Sequence, residues 1–600
     1  MRFLLRFYLW LLLAVSGPLA VGYWLTDYAA LAGQVAQCNF ALVGGVVPLP
    51  LTPGRYLALQ LALSEAALLA LGGLLVFRRS RRRSLSCRQA QGSALLNSLL
   101  RPLRQLSGAE RTLALGLALA VAATRLYYAA AYPLSLDEVA SYDYSVLPGW
   151  AVTASYYPFP NNHLLANLLA GLVHALLPGA SPALALRLLP TLTGLLAGPV
   201  VYALALRYLR FAVATLGLGL FALSPLPVYY AVAGRGYAWA LLAALAGLFA
   251  ALELLRPAGR RQLAWMVFGG SGVLGLYAVP THLYALLGLG LGLLVGFGQQ
   301  PARQRRINLT RLALVSVGIG VVAVVLYAPV GAVSGWPALL ANRYVARHPW
   351  PEFRVGFGPF LVTTATELLG QRGLSAAAYL VLLALAPLAL RYGRLAAAAR
   401  QLGWLLYVQL TLWLPLAVAQ GSYPPARTLL LVLLAFLLLL ALSGEALLAW
   451  WQPAWLPAPP AALQGPQPSR WGLPLLALTL LVYSGYRLHR EQVVIVGRRQ
   501  EQQELRRAYR WLRRQPLRRI WVEPRAYAIF WHHYALSAGQ PPLPLLVVDD
   551  ALATLPGAVG EVEVLKSPPD PPRPAQPLLY QSAQVVVIPV SPTQPRLVFP

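Results

Sequence analysis

The chain is 600 residues long, 58% hydrophobic and only 11% charged, with mean hydropathy +0.59. Soluble domains carry about 25% charged residues, so a soluble globular protein is excluded. The charge is lopsided, 48 Lys+Arg against 19 Asp+Glu for a net +29. Nucleic-acid binding would gather those basic residues in a polar, water-exposed stripe, whereas here they punctuate long apolar runs. Two cysteines, Cys38 and Cys87, rule out a disulfide scaffold and any Cys-based zinc site. The class that remains is a polytopic membrane protein.

Apolar stretches long enough to cross about 30 Å of hydrocarbon fall near 4–25, 56–77, 112–131, 188–208, 211–231, 237–255 and 263–279. Others follow near 282–298, 311–333, 374–391, 403–419, 427–449 and 473–487, thirteen in all. Arginine asymmetry orients them. The stretch 78–111 carries nine arginines and is expected in the cytoplasm. Alternation then puts Arg207/Arg210, Arg256/Arg260/Arg261, Arg303/Arg305/Arg306/Arg311 and Arg391/Arg394/Arg400 on the same side. This works only if the apolar segment 163–177, which ends in Pro178-Gly179, lies on the outer surface instead of crossing. Residues 1–26 also have the look of a cleaved signal peptide, with Arg2 and Arg6 before an apolar run; either reading leaves the later topology unchanged. Gly288-Leu-Gly-Leu-Gly292 lies inside an apolar stretch with no preceding strand, so it reads as a helix-packing surface and not a nucleotide loop.

The Pro-rich stretch 453–469 reads as a cytoplasmic linker. From about 488 the composition changes. A charged helical stretch over 498–519 precedes β-like runs at 519–523, 545–549, 561–565 and 584–588, which predict a small α/β domain outside the membrane. His532 and His533 within it are adjacent, point apart on a helix and make a poor metal pair. The expected organisation is two N-terminal spans and a basic loop (1–111), a membrane core (112–487) and the C-terminal domain (488–600). The protein is expected in the cytoplasmic (inner) membrane, with that last domain extracytoplasmic. The fold class is all-α polytopic with a small α/β appendage.

Residues 1–489 hold only ten acids, and Asp137, Glu138 and Asp143 are three of them within seven positions. They follow the outer end of the 112–131 stretch. The same loop leads to Asn161-Asn162-His163. Arg187, Arg235 and Arg427 sit singly at outer helix ends, where positive charge is otherwise scarce. Snorkelling at an interface is the bland explanation for each; a cationic pocket for an anionic lipid headgroup is the sharper one, since guanidinium forks grip phosphate bidentately. Carboxylates beside such a pocket suit transfer of a group from a lipid phosphate to a hydroxyl. The cations would stabilise the leaving phosphate and a carboxylate would take the hydroxyl proton. A transferred sugar does not follow from this chemistry alone.

At these residues the chain resembles the GT-C membrane glycosyltransferases, in particular bacterial relatives of the dolichyl-phosphate-mannose–protein mannosyltransferases and aminoarabinose transferases. The likeness is carried by Asp137-Glu138 in the first outer loop, Asn161-Asn162-His163-Leu164, Arg187 within Ala-Leu-Arg-Leu, Ser224-Pro225 with Tyr229-Tyr230 and Arg235-Gly-Tyr237, and Thr281-His282-Leu283-Tyr284. It covers roughly 112–490. The chain departs from the pattern in its two extra leading spans and in Ala233-Gly-Arg-Gly-Tyr237, where the family has Glu-Ala-Arg-x-Tyr. The resemblance implies an inverting transferase at the outer face, with a polyprenyl-phosphate sugar as donor and a glycan, lipid or protein as acceptor. Asp137 would be the base and Glu138 its supporting or metal-contacting neighbour. Arg187, Arg235, Tyr237 and Arg427 would bind the donor phosphate. Asp143, Asn162, His163 and His282 would line the site, packing or capping being the other reading of the two histidines. A divalent metal at Asp137/Glu138 is left open. The competing reading is a transporter or flippase of lipid-linked sugars, which would need charge near the bilayer midplane.

Overall fold

The structure is a computed structural model that describes residues 1–43, 49–78, 101–157, 161–256, 261–341, 347–370, 374–451, 472–547, 554–556, 561–567, 578–590 and 595–597. The proline-rich linker at 453–469 and most of the basic loop lie outside the described residues. Among the described residues, ten helices are long and apolar enough to cross a membrane: Arg2–Leu25, Pro53–Phe77, Gly108–Ala131, Pro182–Ala205, Tyr237–Leu255, Pro280–Gly298, Ala302–Val333, Leu374–Tyr392, Ala397–Gln420 and Ala426–Leu447. An eleventh is broken. Phe211–Leu223 and Pro225–Val232 meet at 64°, because Pro225 and Pro227 interrupt the hydrogen-bond ladder and Ser224 Oγ turns back onto the Leu220 carbonyl at 2.7 Å.

The number is therefore ten or eleven, not the expected thirteen. The two stretches that fall short, 263–279 and 473–487, are helical. Arg261, Gln262 and a run of small residues from Gly269 to Gly272 dilute the apolarity of Arg261–Ala278. The 473–487 stretch is the start of a 41-residue helix, Gly472–Leu512, which gains Arg487, His489, Arg490 and Glu491. Arg261–Ala278 still runs antiparallel beside Tyr237–Leu255, bringing the Ala278 carbonyl against Gly236, where an added Cβ would lie 2.2 Å from it.

The core centres on the last of the ten spans. In its most apolar window 78% of residues are buried, against 11% for Gly108–Ala131, so the first is ringed by protein and the second faces lipid. Gly288 and Gly292, one turn apart, press onto Gln409 and Leu405 of Ala397–Gln420; a Cβ at either would come within 2.4 Å. The glycine cluster is a packing surface, as its setting predicts. The two leading spans are not a separate unit. Tyr8 donates to the Val315 carbonyl at 3.1 Å, Tyr23 reaches the Ala151 carbonyl at 3.3 Å, and Leu4 and Tyr23 are fully buried.

The expected boundary at 488 falls inside the unbroken helix Gly472–Leu512, about 60 Å long at 1.5 Å per residue. It leads into a five-stranded sheet. β1 (Arg519–Val522) pairs in parallel with β2 (Leu545–Val547) and β3 (Glu561–Lys566), while β4 (Tyr580–Gln581) and β3 both run antiparallel to β5 (Val585–Pro589), so the order is β2-β1-β3-β5-β4. A helix, Arg525–Ser537, crosses from β1 to β2, as a parallel pair requires. All four expected β-runs form strands.

Candidate functional site

After the Gly108–Ala131 span the chain makes a short helix, Leu136–Ser141, started by a capping box. Ser135 Oγ accepts from the Glu138 amide at 3.3 Å, and Glu138 Oε2 accepts from the Ser135 amide at 2.9 Å. The box places Asp137 and Glu138 in the first turn, where neighbouring side chains diverge by about 100°. Glu138 turns into the bundle and is fully buried. Arg187 grips it with two N–H groups, Nε to Oε1 at 2.7 Å and Nη2 to Oε2 at 2.8 Å, and the Gly234 amide donates to Oε1 at 3.1 Å. Burial alone would raise the Glu138 pKa; the Arg187 charge and hydrogen bonds, with the Ser135 and Gly234 amides, outweigh it and hold the carboxyl below 4.5.

Arg187 has no N–H left over. Its other donors go to the carbonyls of Ala129 (2.9 Å), Tyr132 (2.8 Å) and Pro133 (3.2 Å), which accounts for all five. This corrects the expectation that Arg187 binds phosphate: it ties the loop after Gly108–Ala131 to the Pro182–Ala205 span. Glu138 is corrected too. Five donors already occupy its two oxygens, so it neither reaches an acceptor nor has room for a metal ion. The Asp137/Glu138 pair does not fit a divalent cation, and among the described residues no three His, Cys, Asp or Glu side chains converge as metal ligands.

Asp137 turns the other way. Its side chain is 43% exposed while the Arg235 guanidinium paired with its Oδ2 is 4% exposed. Arg235 also donates to Asn161 Oδ1 at 2.8 Å and, through Nε and Nη2, to His163 Nε2 at 3.2 and 3.0 Å. It stacks over the Tyr237 ring at 5.3 Å. His163 accepts at Nε2, so the neutral imidazole carries its proton on Nδ1, toward the Ala278 backbone. Burial, then the charges of Arg235 and Arg427, push its pKa well below 6.5. Arg427 donates through Nε to the Tyr237 hydroxyl at 2.9 Å. Its terminal nitrogens have no recorded protein partner among the described residues, and it lies within electrostatic reach of Asp137.

The structure thus brings Asp137, His163, Arg235, Tyr237 and Arg427 together with Asn161, which sequence reasoning left out of the site. Asn161 also donates to the Asp137 carbonyl at 2.8 Å. Its neighbour Asn162, the expected liner, instead holds the loop by donating to the carbonyls of Thr153 (2.8 Å) and Tyr156 (2.7 Å). The adjacent amides were visible in the sequence, but which of them faces Arg235 depends on the turn into the Leu164–Leu176 helix. His282 does not join the cluster: it packs against Gly275 at the joint between two helices.

Asp143 is also placed elsewhere. It is buried and accepts from His533 Nδ1 of the C-terminal domain at 3.0 Å, while His532 stacks on Tyr144 at 5.4 Å. The adjacent histidines, expected to diverge, both bind the Tyr142–Val146 turn. Tyr132 donates to Glu491 at 2.6 Å and Arg499 to the Ala131 carbonyl at 2.8 Å. The C-terminal domain and its supporting helix therefore clasp the loop that carries Asp137 and stand at the same end of the bundle.

Behind Tyr237 lies an apolar cavity of about 510 Å³ between the spans. Tyr230 and Leu430 line it, and the Tyr230 ring lies 4.7 Å from that of Tyr237. A half-exposed carboxylate, a guanidinium whose terminal nitrogens are unpartnered among the described residues and an apolar chamber are thus adjacent. The arrangement can hold an anionic head with an apolar tail and present a carboxylate beside it. No protein-family model matches the chain, and no curated protein matches it significantly.

Proposed function

We propose that this multi-pass membrane protein transfers a sugar from a polyprenyl-phosphate donor to an acceptor hydroxyl at the outer face of the cytoplasmic membrane. The observation that supports this best is the division of labour around Asp137. One carboxylate oxygen is held by Arg235, the other is open, and the free end of Arg427 is close by. In this reading Arg427, aided by the remaining Nη1 hydrogen of Arg235, balances charge on the leaving lipid phosphate. Asp137 takes the proton of the incoming hydroxyl. Tyr237 couples the two arginines, and His163 and Asn161 keep Arg235 facing the carboxylate. The resemblance to GT-C transferases supports sugar as the transferred group, and the acceptor is a glycan, lipid or protein hydroxyl.

The test is purified protein with a labelled polyprenyl-phosphate sugar, comparing wild type with Asp137→Asn. Transfer, or slow donor hydrolysis, that Asp137→Asn leaves untouched would remove Asp137 as the base. Lipid crossing between leaflets of a vesicle with no turnover would favour the transporter reading.

A further inference from the structure

Arg125, passed over in the sequence, lies within the Gly108–Ala131 span and is 8% exposed. Among the described residues its Nη1 reaches only the Val121 carbonyl of its own helix, at a long 3.5 Å, and its Nε has no partner. The side chain points toward the N-terminus of its helix, as helical side chains do. This carries the guanidinium to the level of Val121, about 15 Å below the helix end by the 1.5 Å rise. There it faces Gly194 of Pro182–Ala205, where a Cβ would lie 3.6 Å from Nε. A snorkelling arginine would point to the nearer interface; this one points to the middle of the bilayer. An uncompensated cation at that depth is expensive and by default functional.

The guanidinium lines the apolar cavity, which runs from Arg111 at one end of the span to Tyr230 and Leu430 at the end where Arg427 stands. Its walls offer few hydrogen-bonding groups, and the Tyr202 hydroxyl is already bound to Thr215 at 2.6 Å. A sugar would lose its water there without replacement. A small head carrying one negative charge would neutralise Arg125, and a phosphate matches its open fork.

We propose that Arg125 receives the spent carrier, a lipid monophosphate stripped of its sugar, drawn as its monoanion from Arg427 into the cavity. The identity of the head rests on the transferase reading. The Arg125 station itself does not. Removing product in this way frees Arg427 for the next donor.

The test is equilibrium binding to the full chain in nanodiscs, with farnesyl monophosphate, its glucosyl diester and farnesol as probes, using wild type, Arg125→Leu and Arg125→Lys. Arg125→Leu is expected to weaken the monophosphate by roughly tenfold or more while leaving the diester and farnesol unchanged; Arg125→Lys retains most of the affinity. Equal weakening of all three probes, or of none, overturns the proposal, as does competition by inorganic phosphate, which would make the site one for a free ion. Without ligand, Arg125→Leu is expected to melt at the wild-type temperature or above it, because it removes an unpaired buried charge. A lower melting temperature would make Arg125 a structural residue and overturn the assignment. If wild type transfers no sugar from the diester yet binds the monophosphate through Arg125, the transferase reading falls and this site stands.

Discussion

Asp137 and Glu138 are neighbours in one helical turn, and each meets an arginine from a distant segment, yet the two ion pairs differ in kind. The Glu138–Arg187 pair is sealed: both side chains are buried, and the guanidinium has spent every donor inside the protein. The Asp137–Arg235 pair is half open, with the arginine buried and the carboxylate reaching outward. A saturated pair can only hold structure in place. An unsaturated one can still exchange partners, and a reaction needs that.

The contrast can be broken from either side. The largest effect is expected at the open pair, where Asp137→Asn should lower transfer by about 10²–10⁴-fold, the usual worth of a general base. Its melting temperature should fall less than that of Glu138→Gln, because the Asp137 side chain is 43% exposed and asparagine keeps an oxygen for Arg235, so activity and melting curves measured together check it. Glu138→Gln should do the reverse. It leaves Arg187 buried without a counter-charge, which is worth about 3–5 kcal/mol, and should appear as a large fall in melting temperature. If Glu138→Gln melted normally but lost activity, the division between the pairs would be wrong.

Smaller effects should sharpen the picture. Arg427→Leu should weaken binding of a lipid-phosphate probe by roughly tenfold or more, the value of a charged hydrogen bond, with little change in melting. Tyr237→Phe removes one hydrogen bond to Arg427, worth about 1 kcal/mol, and titration with the same probe should register a several-fold loss. The smallest expected effect concerns pH. His163 has a folded pKa well below 6.5, so the unfolded chain binds its proton first as pH falls. Stability from this group is complete above about pH 6.5 and drains away below it, down to the folded pKa. Melting temperatures from pH 7.5 to 5 should therefore fall more steeply in wild type than in His163→Gln.

The clasp between the C-terminal domain and the Asp137 loop was the least visible part of the molecule in the sequence. Asp143 was legible as one of three clustered acids, but its partner His533 is 390 positions away, and no local pattern joins them. The role of Arg187 is hidden in the sequence for a related reason. A lone arginine at a helix end looks the same whether its donors are free or used, and three of its acceptors are backbone carbonyls. Asn161 and Asn162 differ only in the direction in which one turn points them.

The sequence by itself determined the membrane class, most of the spans, the packing role of Gly288 and Gly292, the strands of the last domain and the neighbourhood of Asp137, Arg235 and Arg427. These depend on composition, local periodicity and the scarcity of acid, which are properties of short stretches. Only the tertiary structure decided which carboxylate is sealed, which guanidinium has spent its donors, that the last domain grows from an unbroken helix, and that Arg125 lines an apolar cavity with no ion-pair partner among the described residues. Those outcomes depend on counting donors against acceptors across segments far apart in the chain, and that count exists only once the chain has folded.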